Sequence, residues 1–159
     1  MTTNPNIQRI QELCRRGKLK ATPQRLEIYR QLASTTEHPS AETVFHRVRE
    51  TLPTISLDTV YRTLASLEKI GAAVRVEAFG DKARFDADLT PHHHLVCAVC
   101  REITDFSWPG FEELPLPENV VGWGETSSKN AVIRGVCRRC REGARSCSPP
   151  RSVGADRKK

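Results

Sequence analysis

The sequence lacks four features that would assign it to a common class of protein. No apolar run approaches the ~18 residues of a membrane-spanning helix, which excludes that element. No basic segment followed by an apolar one stands near Met1, so we expect no signal peptide and a cytoplasmic protein. The chain also lacks an internal repeat, and it lacks an H-E-x-x-H helix or any nucleophile–base pairing. These last absences argue against a hydrolase.

The charge of the chain is strongly positive. The 159 residues carry a formal net charge of +6, and the isoelectric point is near 9.2. This balance favours a polyanionic partner, which on composition alone is DNA, RNA or an acidic membrane surface. The length permits one domain or two small ones.

Four of the six cysteines form two C-x-x-C pairs. Two thiolates at this spacing bind one ion from a tight turn, and two such pairs complete a tetrahedral thiolate shell suited to zinc. Two disulfides are the alternative, but a reducing cytosol disfavours them. We therefore expect a structural Zn²⁺ bound by Cys97, Cys100, Cys137 and Cys140.

A histidine triplet stands immediately before the first cysteine pair. On an extended strand His92 and His94 point to one face and His93 to the other. Asp86 precedes the triplet and Asp105 follows it, each near the end of a predicted strand. Imidazole and carboxylate ligands suit iron, manganese or zinc, although a histidine run alone is more often a polar surface.

The N-terminal half predicts helices that begin at capping hydroxyls. Residues 7–17 give a first helix, Thr22 and Pro23 start a second, Ser40 starts a third and Ser56 starts a fourth. Two alternating segments, 74–79 and 83–86, then predict a hairpin around a turn at 80–81. Helices followed by such a hairpin are typical of a winged helix.

The fourth helix has the pattern of a helix that reads the major groove. Its apolar stripe consists of Leu57, Val60, Leu64 and Leu67. The opposite face is polar, with Tyr61 at its flank. Thr59 or Tyr61 could touch a thymine methyl group, and Arg62 a phosphate or guanine. An amphipathic helix with a solvated face is the simpler interpretation of periodicity alone.

The C-terminal half predicts short strands at 94–97 and 102–106, with the first cysteine pair between them. Residues 107–118 are ambiguous because two prolines interrupt them. From residue 144 onwards no apolar periodicity remains. We expect a winged-helix domain at 1–80, a hinge and metal-binding dimerisation domain at 81–143, and a disordered basic tail at 144–159.

Read together, these motifs resemble the ferric uptake regulator family of metal-dependent bacterial repressors. The resemblance rests on Thr22-Pro-Gln-Arg25, His38-Pro-Ser40, Ser56-x-x-Thr-Val-Tyr-Arg-x-Leu64, Arg84-Phe-Asp86, His92-x-His-x-x-Cys-x-x-Cys100 and Gly135-Val-Cys-x-x-Cys140. It implies an α+β protein with an N-terminal winged helix-turn-helix domain, a small α/β dimerisation domain with a four-cysteine zinc site, and a homodimer on an A·T-rich inverted repeat in double-stranded DNA. It makes 56–67 the recognition helix, so the DNA-contacting candidates are Arg25, Thr59, Tyr61 and Arg62.

The resemblance also implies a regulatory site and a branch of the family. Peroxide-sensing members hold Fe²⁺ or Mn²⁺ with three histidines and two aspartates, and these positions match His38, Asp86, His92, His94 and Asp105. Iron-uptake members typically carry glutamate where this chain has Asp105. We expect a repressor, not an enzyme, with no membrane and no small-molecule substrate. The alternatives are an iron-responsive repressor, a structural zinc module and, more distantly, a metal-dependent hydrolase.

Overall fold

Three helices of the N-terminal half begin at the capping residues that the sequence predicts. In the computed structural model, which describes residues 5–76, 82–126 and 128–143, the hydroxyl of Thr22 accepts the backbone N–H of Arg25, 3.4 Å away. The hydroxyls of Ser40 and Ser56 do the same for the residues three positions later, at 3.3 and 3.1 Å. The helices are α1 (Pro5–Arg16), α2 (Pro23–Ala33), α3 (Ala41–Arg49) and α4 (Leu57–Lys69).

A short antiparallel hairpin follows α4. Strand β1 (Val74–Val76) pairs with β2 (Arg84–Asp86), and Arg75 lies opposite Phe85. The N–H of Phe85 also donates to the carbonyl of Pro39 at 3.1 Å, which fixes the segment before α3 beside β2. The turn predicted at 80–81, and the strand residues predicted at 77–79, lie outside the described residues.

The apolar faces of these elements meet in one core. Three members of the stripe predicted on α4, Val60, Leu64 and Leu67, are fully inaccessible, and the fourth, Leu57, is half-buried. Gly17 ends α1 at a close approach, because a Cβ there would lie 2.4 Å from a methyl group of Ile70. The core also contains Ile10, Cys14, Ile28, Tyr29, Leu32, Val44, Val48 and Phe85.

The chain divides into two compact units, Met1–Thr90 and Pro91–Lys159. The predicted boundary at residue 80 falls earlier than this division. The difference has a physical reason, since β2 pairs with β1 and Phe85 packs into the core of the first unit. Residues 82–90 therefore belong with the helices rather than with the cysteines.

The second unit is a three-stranded sheet in the order β4-β3-β5. Strand β3 (His93–Cys97) runs antiparallel to β4 (Ile103–Phe106) and parallel to β5 (Val132–Gly135). Short helices α5 (Pro109–Glu113) and α6 (Glu118–Val121) occupy the connection to β5, and α7 (Arg138–Arg141) follows it. The tail predicted to be disordered lies outside the described residues.

Four helices and a hairpin followed by a mixed sheet confirm the predicted α+β class and the winged-helix arrangement of the N-terminal half. Within 5–76, 82–126 and 128–143, no helix combines the length and hydrophobicity that crossing a bilayer requires.

Candidate metal centres and DNA-binding face

The four paired cysteines converge in the second unit. Cys97 and Cys100 flank the turn after β3, Cys137 precedes α7 and Cys140 lies within it. The sulfur atoms of all four lie within 4.8 Å of one another, and two of the cross-pair separations are 3.8 Å. A tetrahedral ion with Zn–S bonds of about 2.3 Å places its sulfurs about 3.8 Å apart. The residues therefore fit zinc.

Backbone N–H groups favour the thiolate form of Cys97. Burial alone raises the pKa of a thiol, but the N–H groups of Cys137, Cys100 and Val99 outweigh that effect and hold the pKa of Cys97 at about 6, below its ordinary value of 9.0. One of these donors, the N–H of Cys137, lies 3.3 Å from the sulfur. The second cysteine turn thus stabilises the charge on the first, which a metal ligand requires.

A charged pair beside the cysteines was missed in the sequence. Glu102 accepts a hydrogen bond from Arg139, and the same carboxylate oxygen lies 3.9 Å from the sulfur of Cys100. The pair connects the two cysteine turns at the surface of the site. No local pattern links residues so far apart in the sequence.

The first unit contributes one histidine and one carboxylate. His38 is buried at 1% exposure, Asp86 at 7%, and the His38 Nε2 atom lies 3.4 Å from Oδ2 of Asp86. The other oxygen of Asp86 accepts the N–H of Asp88 at 2.7 Å, which orients the carboxylate. His38 has a left-handed backbone with φ of 50°, a conformation that costs of order 1–3 kcal/mol outside glycine. Such strain is typical of functional positions.

The second unit contributes two histidines and one carboxylate. His94 lies opposite Asp105 in the β3–β4 register, and their Nε2 and Oδ1 atoms are 3.5 Å apart. The Nε2 atom of His92 lies 3.8 Å from the same Oδ1 atom of Asp105. It lies 3.0 Å from the Nε2 atom of His94. Atoms bound about 2.1 Å from one ion lie about 3–3.5 Å apart, so both His/Asp groups have donor spacing that suits a cation.

His93 points to the other face of β3, as the alternation predicts. It is buried, its Nδ1 accepts the N–H of Ala131 at 3.2 Å, and its ring packs edge-on against Phe111 at 5.0 Å. This histidine ties β3 to the start of β5. The alternation separates His93 from the other two histidines, but its partners could not be predicted because Ala131 and Phe111 lie far away in the sequence.

The four DNA-contacting candidates lie in different environments of the first unit. Tyr61 is 45% exposed and Arg62 is exposed, 3.8 Å from Asp58 one turn earlier. Thr59 is half-buried, with its hydroxyl oxygen 2.8 Å from that of Ser56. Arg25 is half-buried and donates to the carbonyl of Lys20. Two candidates therefore project from α4, and two are engaged at helix starts.

A winged helix, a thiolate cluster and two groups of His/Asp donors together define a metal-binding regulator of the winged-helix class. The profile of the ferric uptake regulator family matches residues 16–120. The chain belongs to the ferric uptake regulator family.

Individual relatives agree with this assignment. The peroxide-responsive repressor PerR of Staphylococcus epidermidis is 33% identical over 130 residues, which cover 80% of this chain and 85% of that protein. The solved Helicobacter pylori ferric uptake regulator Fur is 26% identical with a TM-score of 0.69, covering 86% and 91% of the two chains. The Campylobacter jejuni peroxide stress regulator is 26% identical with a TM-score of 0.63, covering 84% and 98%.

Proposed function

We propose that this protein is a metal-dependent transcriptional repressor that binds double-stranded DNA as a homodimer in the cytoplasm. The supporting observation is the pair of His/Asp groups. One unit presents His38 and Asp86, and the other presents His92, His94 and Asp105. Two or three donors leave a transition-metal ion with an incomplete shell, whereas five nearly fill one.

A single ion bound by all five donors would couple the two units. Metal binding would then select one arrangement of the winged helix relative to the sheet. In a homodimer this sets the separation of the two recognition helices, which is about 34–36 Å for half-sites one turn apart. The mixed nitrogen and oxygen donors suit Fe²⁺ or Mn²⁺, while the four thiolates suit a structural Zn²⁺.

Peroxide is the signal that the site supports best. The peroxide-responsive relative described above favours this branch, and so does an aspartate at 105 where iron-uptake members typically carry glutamate. When bound, Fe²⁺ would catalyse cleavage of the O–O bond, with peroxide as the two-electron oxidant: one oxygen atom would enter a C–H bond of the ring and the other would leave as water. His38 and His92 would each be a target, and an oxidised ring is a poorer donor. The operator would then be released. An iron-responsive repressor of metal uptake is the second candidate.

The exposed face of α4 is the proposed reader of the operator. Arg62 projects from the side opposite the buried stripe and Tyr61 from its flank, and both are exposed, so their removal should spare the fold. Tyr61→Ala and Arg62→Ala should each weaken operator binding by ~1–3 kcal/mol at matched salt. Arg30→Ala, on the exposed side of α2, is the control and should bind normally. Unchanged affinity in both α4 variants would remove this helix from the groove.

A second copy of the chain is the proposed partner of the sheet of the second unit. Leu95 and Ile133 are paired across β3 and β5 and are 41% and 45% exposed. They line a cavity of about 180 Å³ together with Thr104 and Val136. An apolar face of this kind is typical of subunit interfaces. Leu95→Glu should yield a monomer in analytical ultracentrifugation while the zinc is retained.

Metal-dependent binding tests the proposal directly. The purified protein should select a duplex from a random pool when Mn²⁺ is present and lose it when Mn²⁺ is chelated mildly enough to leave the zinc. His38→Ala should abolish the effect of Mn²⁺ but keep zinc and dimerisation, because His38 belongs to neither. Binding that ignores Mn²⁺ would contradict the proposal, and turnover of an ester or peptide substrate would favour the hydrolase alternative.

A further inference from the structure

One carboxylate oxygen joins three elements of the winged helix. Oε1 of Glu42, in the first turn of α3, accepts a hydrogen bond from the hydroxyl of Tyr61 at 3.2 Å. The same oxygen lies 3.1 Å from Nζ of Lys82, just before β2. Glu42 thus links α3 to the proposed recognition helix α4 and to the segment just before the second hairpin strand.

The carboxylate is charged and held in place. Burial raises the pKa of Glu42, but its own backbone N–H, the Ser40 hydroxyl and the Lys82 ammonium outweigh burial and lower the pKa to about 2. A carboxylate in the first turn is also favoured by the helix dipole of α3. At neutral pH Glu42 is therefore a fixed acceptor, not a group that exchanges partners with its protonation state.

The bond to Glu42 determines what Tyr61 can offer to DNA. Its single hydroxyl proton is donated to the carboxylate, so it is not available to a phosphate oxygen or to a base acceptor. The ring remains 45% exposed and presents carbon atoms. In the major groove, the apolar feature of a base edge is the methyl group of thymine. A tyrosine held in this way would distinguish thymine from the other bases through contacts of its ring carbon atoms.

We propose that Glu42 is a positioning residue for DNA recognition: it orients the Tyr61 ring towards a thymine methyl group and holds Lys82 beside α4. The inference rests on the proposed DNA-binding function. Lys82 has a second effect, because its charge offsets that of a carboxylate that would otherwise repel the phosphates of DNA bound at α4. Glu42 itself needs no contact with DNA.

A double-mutant cycle on the full-length Mn²⁺-loaded dimer tests the proposal. The probe is the tightest duplex that the wild-type protein selects from a random pool, together with copies in which single thymines are replaced by uracil. Glu42→Gln and Tyr61→Phe each weaken or remove the same hydrogen bond. Each should lower affinity by about 5–10-fold, the worth of a typical intramolecular hydrogen bond. The double variant should bind DNA as tightly as whichever single variant has the lower affinity, because both substitutions remove the same interaction.

The uracil duplexes separate positioning from a general structural role. The wild type should lose affinity on at least one uracil duplex, and both single variants should lose that discrimination. Glu68→Gln breaks a different exposed ion pair, which joins the last turn of α4 to Arg75 in β1, and should behave as the wild type. Additive losses in the cycle, or Glu42→Gln binding with undiminished thymine preference, would overturn the proposal. Failure of the wild type to select any duplex would instead overturn the DNA-binding function itself.

Discussion

Removing one zinc ligand should unfold the second unit and leave the first unit folded. The described residues of the second unit contain few buried apolar side chains, namely Val96, Ile103 and the thiols Cys97 and Cys100. Full burial of a valine or isoleucine contributes ~1.5–3 kcal/mol. A structural zinc contributes ~10–16 kcal/mol, which matches or exceeds the entire ~5–15 kcal/mol stability of a typical domain. Cys100→Ser should therefore abolish the fold of this unit.

Hydrogen exchange resolved by peptide measures the two units separately. In Cys100→Ser, zinc should be absent and the amides of β3, β4 and β5 should lose protection. Those of α2 and α4 should keep it, because no zinc ligand lies in the core around Leu64. Cys14→Ala is the matched control, since that thiol is buried in the first unit. A zinc-free Cys100→Ser protein with a protected sheet would refute the reasoning.

Three further changes probe the first unit. Leu64→Ala deletes a fully buried side chain and should cost ~2–5 kcal/mol in denaturant unfolding; a loss below 1 kcal/mol would place Leu64 outside the core. Ser56→Ala removes the cap of α4 and should cost about 1 kcal/mol, whereas no loss would show that another group caps the helix. A hydrogen bond from Arg30 lowers the pKa of Glu27 to about 2, so its contribution is present above the ordinary value of 4.5 and is lost as the pH falls towards 2. Between pH 4.5 and 2, thermal unfolding should therefore show a smaller loss of stability for Glu27→Gln than for the wild type. An equal loss in both proteins would show that the Glu27 carboxylate does not contribute to acid destabilisation.

Local features could be predicted from the sequence because their causes are local. The caps of α2, α3 and α4 follow from a hydroxyl and the N–H three residues later, and the stripe of α4 follows from helical periodicity. The pair Val120 and Val121 shows the limit of such reasoning. These β-branched residues lie in α6 rather than in a strand, because the N–H groups of both donate to the carbonyl of Pro117 and close a helical turn.

Long-range partners could not be predicted in the same way. Tyr61 gives no sign in the sequence that Glu42, on another helix, accepts a hydrogen bond from its hydroxyl. The role of His93 likewise depends on β5, which brings Ala131 to its ring. In both cases the tertiary fold selects one partner among many polar residues. The sequence therefore identifies the donors of a site more readily than the side chains that orient them.

The proposed regulator senses peroxide at its His/Asp donors. The most direct measurement is operator binding by the Fe²⁺-loaded protein before and after low peroxide, followed by peptide mass spectrometry. The account predicts that the operator is released and that a peptide containing His38 or His92 gains one oxygen atom, whereas the Mn²⁺-loaded protein keeps its operator and its mass. Unmodified His38 and His92 after the Fe²⁺ and peroxide treatment would contradict peroxide sensing and leave a repressor that responds to the metal alone.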